Sequence, residues 1–533
     1  MKSLLAISLI ASIATTAQAD YLLWCHWYDL ETRLGEGNMP DGDGVFAAMV
    51  EAADSNGNYA LDECTPYGCN AEFDWPDGPD GPEGPIITHK SGASDVSIHA
   101  FTVGRRFLGR ESGMAPNLKQ IQAYEVEQWL GAGCLKVGQS GQMPDISGAV
   151  KVWNHSWVGD YESGTLNNEA TRRLDWIAAH HTTDPVMCVG LSNTSAPFPL
   201  LANAFNIIAV GSRDGEHAWG TVPSPADGHG RMRPDIVGPQ FTTSEAVATI
   251  SASSAMLVDV ARGDESLPAA AEASEVIKAV LMAGADHTGP IDGTGDQWSN
   301  EAPQTGPARG QTQSPLDPVV GAGHLDIERA YLILTGGQQS GAADDQTPGD
   351  ASSAGWSLES IAGGATMQWR FRSLGYSDEF SILATWHRMI ESDFSGGSLA
   401  NFDLSLLRMS DGAATNIDGD EGVGVFDEGN VMSESVVDNV EHIYVTGLQP
   451  GHYVLSLNRR DADSTPVDVA IAWWTDGEVM NADIDNSGEV GIGDLLAMFE
   501  VWGTCGEGCA ADVDGNGQLD VDDLVALIER WGT

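Results

Sequence analysis

The chain has 533 residues, more than one hydrophobic core usually organises, so several domains are expected. Hydrophobic residues make up 42% of it, which is enough to build ordinary globular cores. Its 77 acidic and 25 basic residues leave a formal net charge of −52, and such a surface repels nucleic acid and anionic membranes. Solubility or a salty habitat explains such a charge more readily than a role in binding a particular partner does, so the charge alone indicates no function.

The first 19 residues have the pattern of a secretory signal peptide. Lys2 gives a basic start, residues 4–13 are almost entirely apolar, and residues 17–19, Ala-Gln-Ala, provide small residues for cleavage before Asp20. No later stretch approaches the roughly 18 uninterrupted apolar residues that a membrane helix needs. We therefore expect a secreted, extracellular protein without a membrane span. Tethering at the cell surface is left open.

The seven cysteines of an exported chain are free to form disulfides. Cys64 and Cys69 lie close together in a loop rich in Pro, Gly and Asn, and Cys505 and Cys509 are similarly close, so two local bridges fit the spacing. The remaining cysteines are Cys25, Cys134 and Cys188. Because seven is odd, at least one thiol is free or paired outside the chain. Neither a Cys-x-x-Cys pair nor Cys/His metal spacing occurs, which argues against zinc.

Residues 20–335 are predicted to form an α/β domain. Strand-like apolar runs alternate there with helix-like stretches, which is typical of a mainly parallel sheet with helices on its faces. The predicted strands are residues 45–50, 149–153, 186–189 and 207–210. The predicted helices are residues 118–130, 172–180, 246–260 and 271–282.

Three segments of this domain carry the acid, the histidine and the serine that acyl transfer needs. The first is Val-Phe-Ala-Ala-Met-Val-Glu, a strand ending in Glu51, at the position where α/β folds place ligands. The second is Ser-Ile-His-Ala-Phe-Thr-Val-Gly, which contains His99. The third is Pro-Asp-Ile-Val-Gly-Pro at 234–239, followed by a Thr-Thr-Ser that places Ser244 at a helix start. A serine at such a start can also be a simple N-cap.

Together these segments resemble the motifs of the subtilisin-like serine peptidases, or subtilases. His99 falls on the first histidine of His-Gly-Thr-His-Val-Ala-Gly, Ser244 on the serine of Gly-Thr-Ser-x-Ala-x-Pro, and Glu51 ends a strand similar to Val-x-Val-Ala-Val-x-Asp. The order acid, histidine, serine is that of subtilisin. The resemblance covers roughly residues 40–335 and implies a three-layer α/β fold around a parallel sheet. It also implies a serine endopeptidase in which Ser244 attacks a peptide carbonyl, His99 takes its proton and the acid orients the imidazole.

Two further segments extend the resemblance. Residues 152–157, Val-Trp-Asn-His-Ser-Trp, are similar to the family's substrate-binding strand, which implies that Ser156 and Trp157 contact a protein or peptide substrate. Residues 188–193, Cys-Val-Gly-Leu-Ser-Asn, lie where the family has Ala-Ala-Gly-Asn. This implies that Asn193 donates a hydrogen bond to the oxyanion.

The chain also departs from the family. Glu51 replaces the triad aspartate and is one methylene longer, and Asp54 could serve instead only if the strand ended later. His-Gly-Thr-His has become His-Ala-Phe-Thr. Thr242 stands where the family has a glycine, and Ala248 where it has a helix proline. A catalytically inactive scaffold or adhesin with the subtilase fold is therefore the alternative, although the residues assigned to the chemistry keep competent types.

A second domain is predicted at residues 355–476. Residues 336–354 are rich in Gly, Ser, Ala, Gln and Asp, which is typical of a linker. Beyond them, apolar residues alternate by twos between Gly/Asp/Asn turns, which indicates a β-sandwich. The alternating segments are residues 365–372, 380–386, 402–408, 442–446, 453–457 and 467–474. This part resembles β-sandwich domains that follow many subtilase catalytic domains, and we expect it to stabilise the protein or present substrate.

The end of the chain contains a duplication. Residues 483–503 match residues 512–532 at a constant offset of 29, as Asp483 matches Asp512. Each copy has oxygen-bearing side chains at loop positions one, three and five and a carboxylate at twelve, which is EF-hand spacing. Ligands that are all oxygen suit Ca²⁺ better than zinc or copper. The predicted calcium ligands are Asp483, Asp485, Ser487 and Asp494 in the first copy and Asp512, Asp514, Asn516 and Asp523 in the second.

Each loop is followed by an apolar stripe of helical period that ends at Trp-Gly, with the glycine as C-cap. With Asp at position twelve and no helix before the loop, residues 479–533 resemble type I dockerin modules. The resemblance implies calcium-dependent docking to a cohesin-like protein; calcium-dependent structural capping is the rival use. A subunit of an extracellular polysaccharide-degrading complex is a further alternative, suggested by where dockerins usually occur, but the sequence shows no paired glycosidase carboxylates.

Overall fold

The structure is a computed structural model. It describes residues 5–7, 21–61, 73, 85–146, 148–289, 297–343, 346, 348–373, 376–410, 413–417, 424–477, 482, 484, 490–503, 511, 513, 519–528 and 531. Over these residues the chain forms an α/β domain, a β domain of two main sheets and a C-terminal pair of helices.

The α/β domain alternates strands and helices. Its strands are β1 Leu5–Ile7, β2 Phe46–Glu51, β3 Ile86–His89, β4 Gln120–Glu125, β5 Val152–His155, β6 Val158–Asp160, β7 Val186–Gly190, β8 Ile208–Ser212, β9 Gly220–Thr221, β10 Met232–Arg233 and β11 Ile236–Gly238. Its helices are α1 Tyr21–Trp24, α2 Trp27–Leu34, α3 Ile98–Leu108, α4 Val126–Gln128, α5 Gly164–His180, α6 Thr243–Gly263, α7 Ser274–Ala283 and α8 Ile327–Thr335. Helical turns of other types lie at Glu36–Asn38, Trp129–Gly133 and Ala269–Glu272.

Seven of the strands form one sheet in the order β3-β4-β2-β5-β7-β8-β11, and every neighbouring pair in it is parallel. Successive side chains of a strand point to opposite faces. Ala47 and Met49 of β2 accordingly pack in the cluster that contains residues of α3 and α6, whereas Ala48 and Val50 pack in the cluster that contains residues of α5. The predicted parallel α/β sheet between helical layers is confirmed.

The predicted helix at 118–130 is wrong over most of its length. Residues Gln120–Glu125 are strand β4, in which Ile121 and Ala123 pack on one face of the sheet and Tyr124 on the other. This alternation has the period of a strand, and only the three residues of α4 and the turn after them are helical. The other predicted strands and helices are found with shifted ends.

The β domain follows. Its strands are β12 Gln311–Thr312, β13 Ala342–Ala343, β14 Ala354–Ile361, β15 Thr366–Ser373, β16 Ser377–Trp386, β17 Met389–Ile390, β18 Gly397–Ser398, β19 Phe402–Ser410, β20 Ala413–Asn416, β21 Glu428–Gly429, β22 Met432–Ser433, β23 Val440–Leu448, β24 Gly451–Arg459 and β25 Val467–Thr475. One sheet has the order β12-β22-β19-β24-β15-β13, with β20 beside β19, and the other has the order β14-β25-β16-β23-β21. Trp369, Trp386 and Trp473 fill the core between them. The predicted β-rich region is confirmed, and each predicted strand segment is found.

The two domains share a buried interface. Helices α7 and α8 contact strands of the second sheet, and Trp356, Leu383 and Ala472 belong to the same apolar cluster as residues of α7. The Asp227 carboxylate joins Arg172 of α5 to Arg388 after β16, with N–O distances of 2.7 and 2.8 Å. Because one core continues from one domain into the other, we expect the two domains to unfold together.

The described part of the segment predicted as a linker, residues 336–354, lies against the β domain. Its strand β13 pairs with β15, and Ala351 is buried in the domain core. Gln339 donates its backbone N–H to the carbonyl of Trp356 at 2.8 Å.

Helices α9 Ile492–Glu500 and α10 Val521–Ile528 follow the two predicted calcium loops and pack together around Met498 and Leu527. Of the predicted calcium ligands, those outside the described residues are Asp483, Asp485, Ser487, Asp512, Asp514 and Asn516. The cysteines outside the described residues are Cys64, Cys69, Cys505 and Cys509, whereas Cys25, Cys134 and Cys188 are buried. Of the predicted signal peptide only β1 is described. Among the described residues, no helix has both the length and the apolar composition that crossing a membrane requires.

Candidate active site

Glu51 lies at the carboxyl end of β2, near the middle of the parallel sheet, and is 2% exposed. Its Oε2 atom is 2.7 Å from Nδ1 of His99. Asp54, the alternative acid, instead accepts the backbone N–H groups of Asn56 and Asn58 and so closes the turn after the strand. The structure therefore brings Glu51, and not Asp54, to the histidine.

His99 is the second residue of α3. The N-cap of that helix is Ser97, whose hydroxyl accepts the N–H of Ala100. The helix start fixes the imidazole between the acid and the serine, with Nε2 at 3.0 Å from Oγ of Ser244. Because Nδ1 faces a carboxylate, it carries the proton, and Nε2 is left to accept one from the serine.

Ser244 is the second residue of α6, whose N-cap is Thr242. Ser244 is therefore not the N-cap of this helix, which was the alternative role for a serine at a helix start. Its Oγ atom lies at the positive end of a 21-residue helix, where a developing negative charge is stabilised. This position favours Ser244 Oγ as a nucleophile over a purely structural role for the serine.

Burial and the charge of the partner shift the pKa values of Glu51 and His99 in opposite directions. Burial raises the pKa of Glu51, although the neighbouring His99 opposes this shift. Burial lowers the pKa of His99, but the charge and the hydrogen bond of Glu51, assisted by the charge of Glu245, raise it to a net value above the ordinary one. The imidazolium that forms when His99 takes a proton is therefore stabilised inside the site.

Asn193 follows β7 and is oriented by α6. Its Oδ1 atom accepts the backbone N–H and the hydroxyl of Thr243, each at 2.7 Å. With the carbonyl side of the amide held in this way, Nδ2 is the side that can donate to an oxyanion at Ser244. Thr243 was missed as a functional residue by sequence reasoning, although it is the middle residue of the Thr-Thr-Ser motif.

Ser156 and Trp157 lie beside the serine, between β5 and β6. Ser156 Oγ is 3.0 Å from the carbonyl oxygen of Ser244 and 2.9 Å from Oδ1 of Asn154. The Trp157 side chain is buried and donates its indole N–H to Nδ1 of His155 at 3.3 Å. Both residues line a small cavity beside Ser244. Because the side chain of Trp157 is buried, this residue can contact a substrate only through the cavity wall and through its backbone.

No protein-family model matches the chain, and no curated protein matches it. Solved structures similar to it include the epidermin leader peptide processing serine protease EpiP from Staphylococcus aureus, at 12% identity and a TM-score of 0.34, covering 61% of this chain and 83% of that one. MycP1 from Mycobacterium smegmatis matches at 13% identity and a TM-score of 0.30, covering 62% and 90%. The MycP3 protease of the type VII (ESX-3) secretion system matches at 13% and 0.31, covering 62% and 94%. These structures are too distant to indicate the chemistry of this chain.

A candidate calcium site involves the two position-twelve carboxylates, Asp494 and Asp523. Both are fully buried, and each accepts one backbone N–H from three residues earlier, that of Gly491 at 2.6 Å and that of Asp520 at 2.7 Å. A buried carboxylate needs compensation, which a divalent cation supplies, so these residues fit the predicted ion. Among the described residues no group of three or more His, Cys, Asp or Glu could hold a metal; most of the predicted ligands lie outside that part of the chain.

Proposed function

We propose that this chain is a secreted serine endopeptidase of the subtilisin-like type, which cleaves protein or peptide substrates through an acyl-enzyme. The observation that carries the proposal is the unbroken hydrogen-bond line from Glu51 Oε2 through the His99 ring to Ser244 Oγ, with distances of 2.7 and 3.0 Å. These distances are within reach for proton transfer. The line joins the starts of two helices and the end of a strand, three elements that are far apart in the chain.

In the proposed mechanism Ser244 Oγ attacks the substrate carbonyl carbon while its proton passes to His99 Nε2. Glu51 stabilises the imidazolium, and Asn193 Nδ2 with N–H groups of the first turn of α6 binds the oxyanion. His99 then gives the proton to the leaving amine. A water molecule attacks the acyl-enzyme by the same route, returning the proton to Ser244.

The edge of β6 supports an extended peptide as the substrate. Strand β1 pairs there antiparallel, with Ile7 opposite Val158 and Leu5 opposite Asp160. Strand β6 runs away from Ser156, so a strand paired antiparallel to it runs towards Ser156 and the serine nucleophile. A substrate bound by backbone pairing on this edge would therefore bring its carbonyl group to Ser244.

The proposal is tested by labelling the full-length protein with a fluorophosphonate, which reacts only with an activated serine. We expect wild type and Ser266→Ala to be labelled and Ser244→Ala not to be. Ser266 is a matched control because its exposed hydroxyl bonds a carboxylate, Asp264, and not a histidine. If folded wild-type protein took up no label, the inactive scaffold or adhesin would be favoured instead.

Replacing Asn193 with alanine is expected to lower kcat by about 10²–10³-fold with little change in KM, because the lost donor acts mainly on the transition state. Steady-state hydrolysis of a peptide ester by the variant checks this. Thr243→Val should cause a smaller loss, since the backbone N–H of residue 243 still holds the asparagine. A rise in KM with an unchanged kcat would instead assign Asn193 to ground-state binding of the substrate.

We further propose that residues 479–533 bind Ca²⁺ and dock the enzyme to a cohesin-like protein. Apolar side chains are exposed on the two helices at positions related by the offset of 29 residues. These are Ile492, Leu496, Phe499 and Trp502 in the first copy and Val521, Val525, Ile528 and Trp531 in the second, exposed by 37–64%. Apolar faces that recur at equivalent positions of a duplicated module indicate binding of a partner better than structural capping does.

The double variant Asp494→Asn and Asp523→Asn is expected to lose calcium binding, because each change removes a carboxylate at loop position twelve. Calorimetric titration of the full chain with Ca²⁺ after chelator treatment measures the loss. The variant Asp468→Asn, on the exposed side of β25, should bind as wild type does. An unchanged stoichiometry in the double variant would contradict the assignment of the two aspartates. Fluorophosphonate labelling should be retained in both proteins.

A further inference from the structure

The cavity beside the nucleophile has little room for a substrate side chain. Its wall is formed by residues of the β5–β6 connection, the end of β7 and the start of α6. Its lining residues include Ser156, Trp157, Val158, Leu191 and Ser244. The space in it that the centres of water-sized spheres can occupy is about 10 Å³, the room that one such sphere needs.

Several of the residues that line this cavity are buried. Val158, Trp157 and Leu191 are exposed by 6%, 3% and 2%, and Trp157 and Leu191 lie in the apolar core below the sheet. Val158 is the first residue of β6, and the next residue, Gly159, accepts the backbone N–H of Leu200 at 3.2 Å. Because protein interiors are close-packed, opening this cavity for a large side chain would require displacement of core residues.

The strand register places the reacting residue of a substrate next to this cavity. In the observed pairing Ile7 lies opposite Val158, and a longer peptide that kept this register would place the residue two positions further along opposite Ser156. The carbonyl oxygen of Ser156 is 3.5 Å from Ser244 Oγ. A substrate residue opposite Ser156 would therefore bring its carbonyl group to the nucleophile, and because Ser156 lines the cavity, its side chain would lie next to the cavity.

We infer that the enzyme cleaves after residues with very small side chains, glycine, alanine or serine, and that Val158 is the residue that excludes larger ones. The inference rests on the proposed peptidase activity and names its substrate class. A methyl group occupies about the space of one water molecule, whereas an aromatic ring does not fit.

Two peptide diphenyl phosphonates that differ only in the side chain next to phosphorus test the inference. In this reaction Ser244 Oγ forms a bond to phosphorus, and phenol leaves. We expect wild-type protein to react with the alanine analogue more than about 100-fold faster than with the phenylalanine analogue, since one misfitting methylene alone costs about 10–200-fold. In Val158→Gly this ratio should fall by at least about 10-fold.

Val436→Gly, a change at an exposed valine of the β domain, should keep the wild-type ratio. Val158→Ala is the milder variant if glycine in the strand prevents folding, and it should shift the ratio in the same direction. Equal wild-type rates with the two analogues, or an unchanged ratio in folded Val158→Gly, would overturn the inference. If the fluorophosphonate labels the protein and neither phosphonate does, the cavity assignment is wrong and the nucleophile stands. If the fluorophosphonate also fails, the peptidase proposal fails with it.

Discussion

Replacing Ser244 with alanine is expected to lower kcat for peptide hydrolysis by about 10⁶-fold, and replacing His99 in the same chain to lower it no further. The two side chains act as one unit: without the hydroxyl the imidazole has no proton to accept, and without the imidazole the hydroxyl stays a weak nucleophile. A residual rate above that in water should remain, because Asn193 and the start of α6 still stabilise the oxyanion. Single-turnover assays of Ser244→Ala, His99→Ala and the double variant measure the three rates.

A control for this cycle is His181→Ala. His181 is hydrogen-bonded to Thr183 and to the carbonyl of Ile146, and it should affect the rate little. Additive losses from Ser244→Ala and His99→Ala would mean that the two residues act separately and would contradict the triad. Thermal unfolding of each protein shows whether a lost rate reflects lost structure.

The parallel sheet could be predicted because its strands are short, nearly continuous apolar runs, as strands buried on both faces must be. Strand β4 could not, because Gln120-Ile-Gln-Ala-Tyr-Glu125 begins and ends in polar residues and merges with the helical residues after it. Local periodicity does not distinguish the two structures when a short strand runs directly into a helical turn.

The amino-acid composition of a segment also does not predict its backbone contacts. Residues 336–354 have few apolar side chains, yet the described part of this segment lies on the β domain through main-chain pairing and through the carbonyl of Gln339, which accepts the indole N–H of Trp369. Such contacts depend on the neighbouring strands and leave no signal in the segment itself.

At the site, the motifs were sufficient to select Glu51, His99 and Ser244, which the structure brings together. They did not identify Thr243 as the anchor of Asn193, since that hydrogen bond joins side chains 50 residues apart. The closing role of Val158 depends likewise on the cavity that it lines with Leu191 and Thr243, residues that lie far from it in the chain. Sequence reasoning therefore identified the reacting groups more completely than it identified the residues that position them or limit the substrate.

Replacing Glu51 with glutamine is expected to lower kcat by about 10⁴-fold and to move the acid limb of the pH–rate profile to lower pH. The base must be neutral to act, so in wild type activity rises as pH passes the pKa of His99, which Glu51 holds above its ordinary value. Without the carboxylate, burial is the largest remaining influence on the imidazole, and it lowers that pKa. The profile of kcat/KM against pH, measured on an activated ester, shows both effects.

The variant Glu245→Gln gives a graded comparison for this shift. Glu245 also raises the pKa of His99, but through charge alone and from a partly exposed position where it pairs with Arg106. Its removal should move the acid limb in the same direction by a smaller amount and leave kcat within a few fold of wild type, because solvent screens the charge. A Glu51→Gln enzyme with full activity would show that another group orients the imidazole. An unshifted acid limb together with the rate loss would mean that Glu51 orients the ring without stabilising its charge.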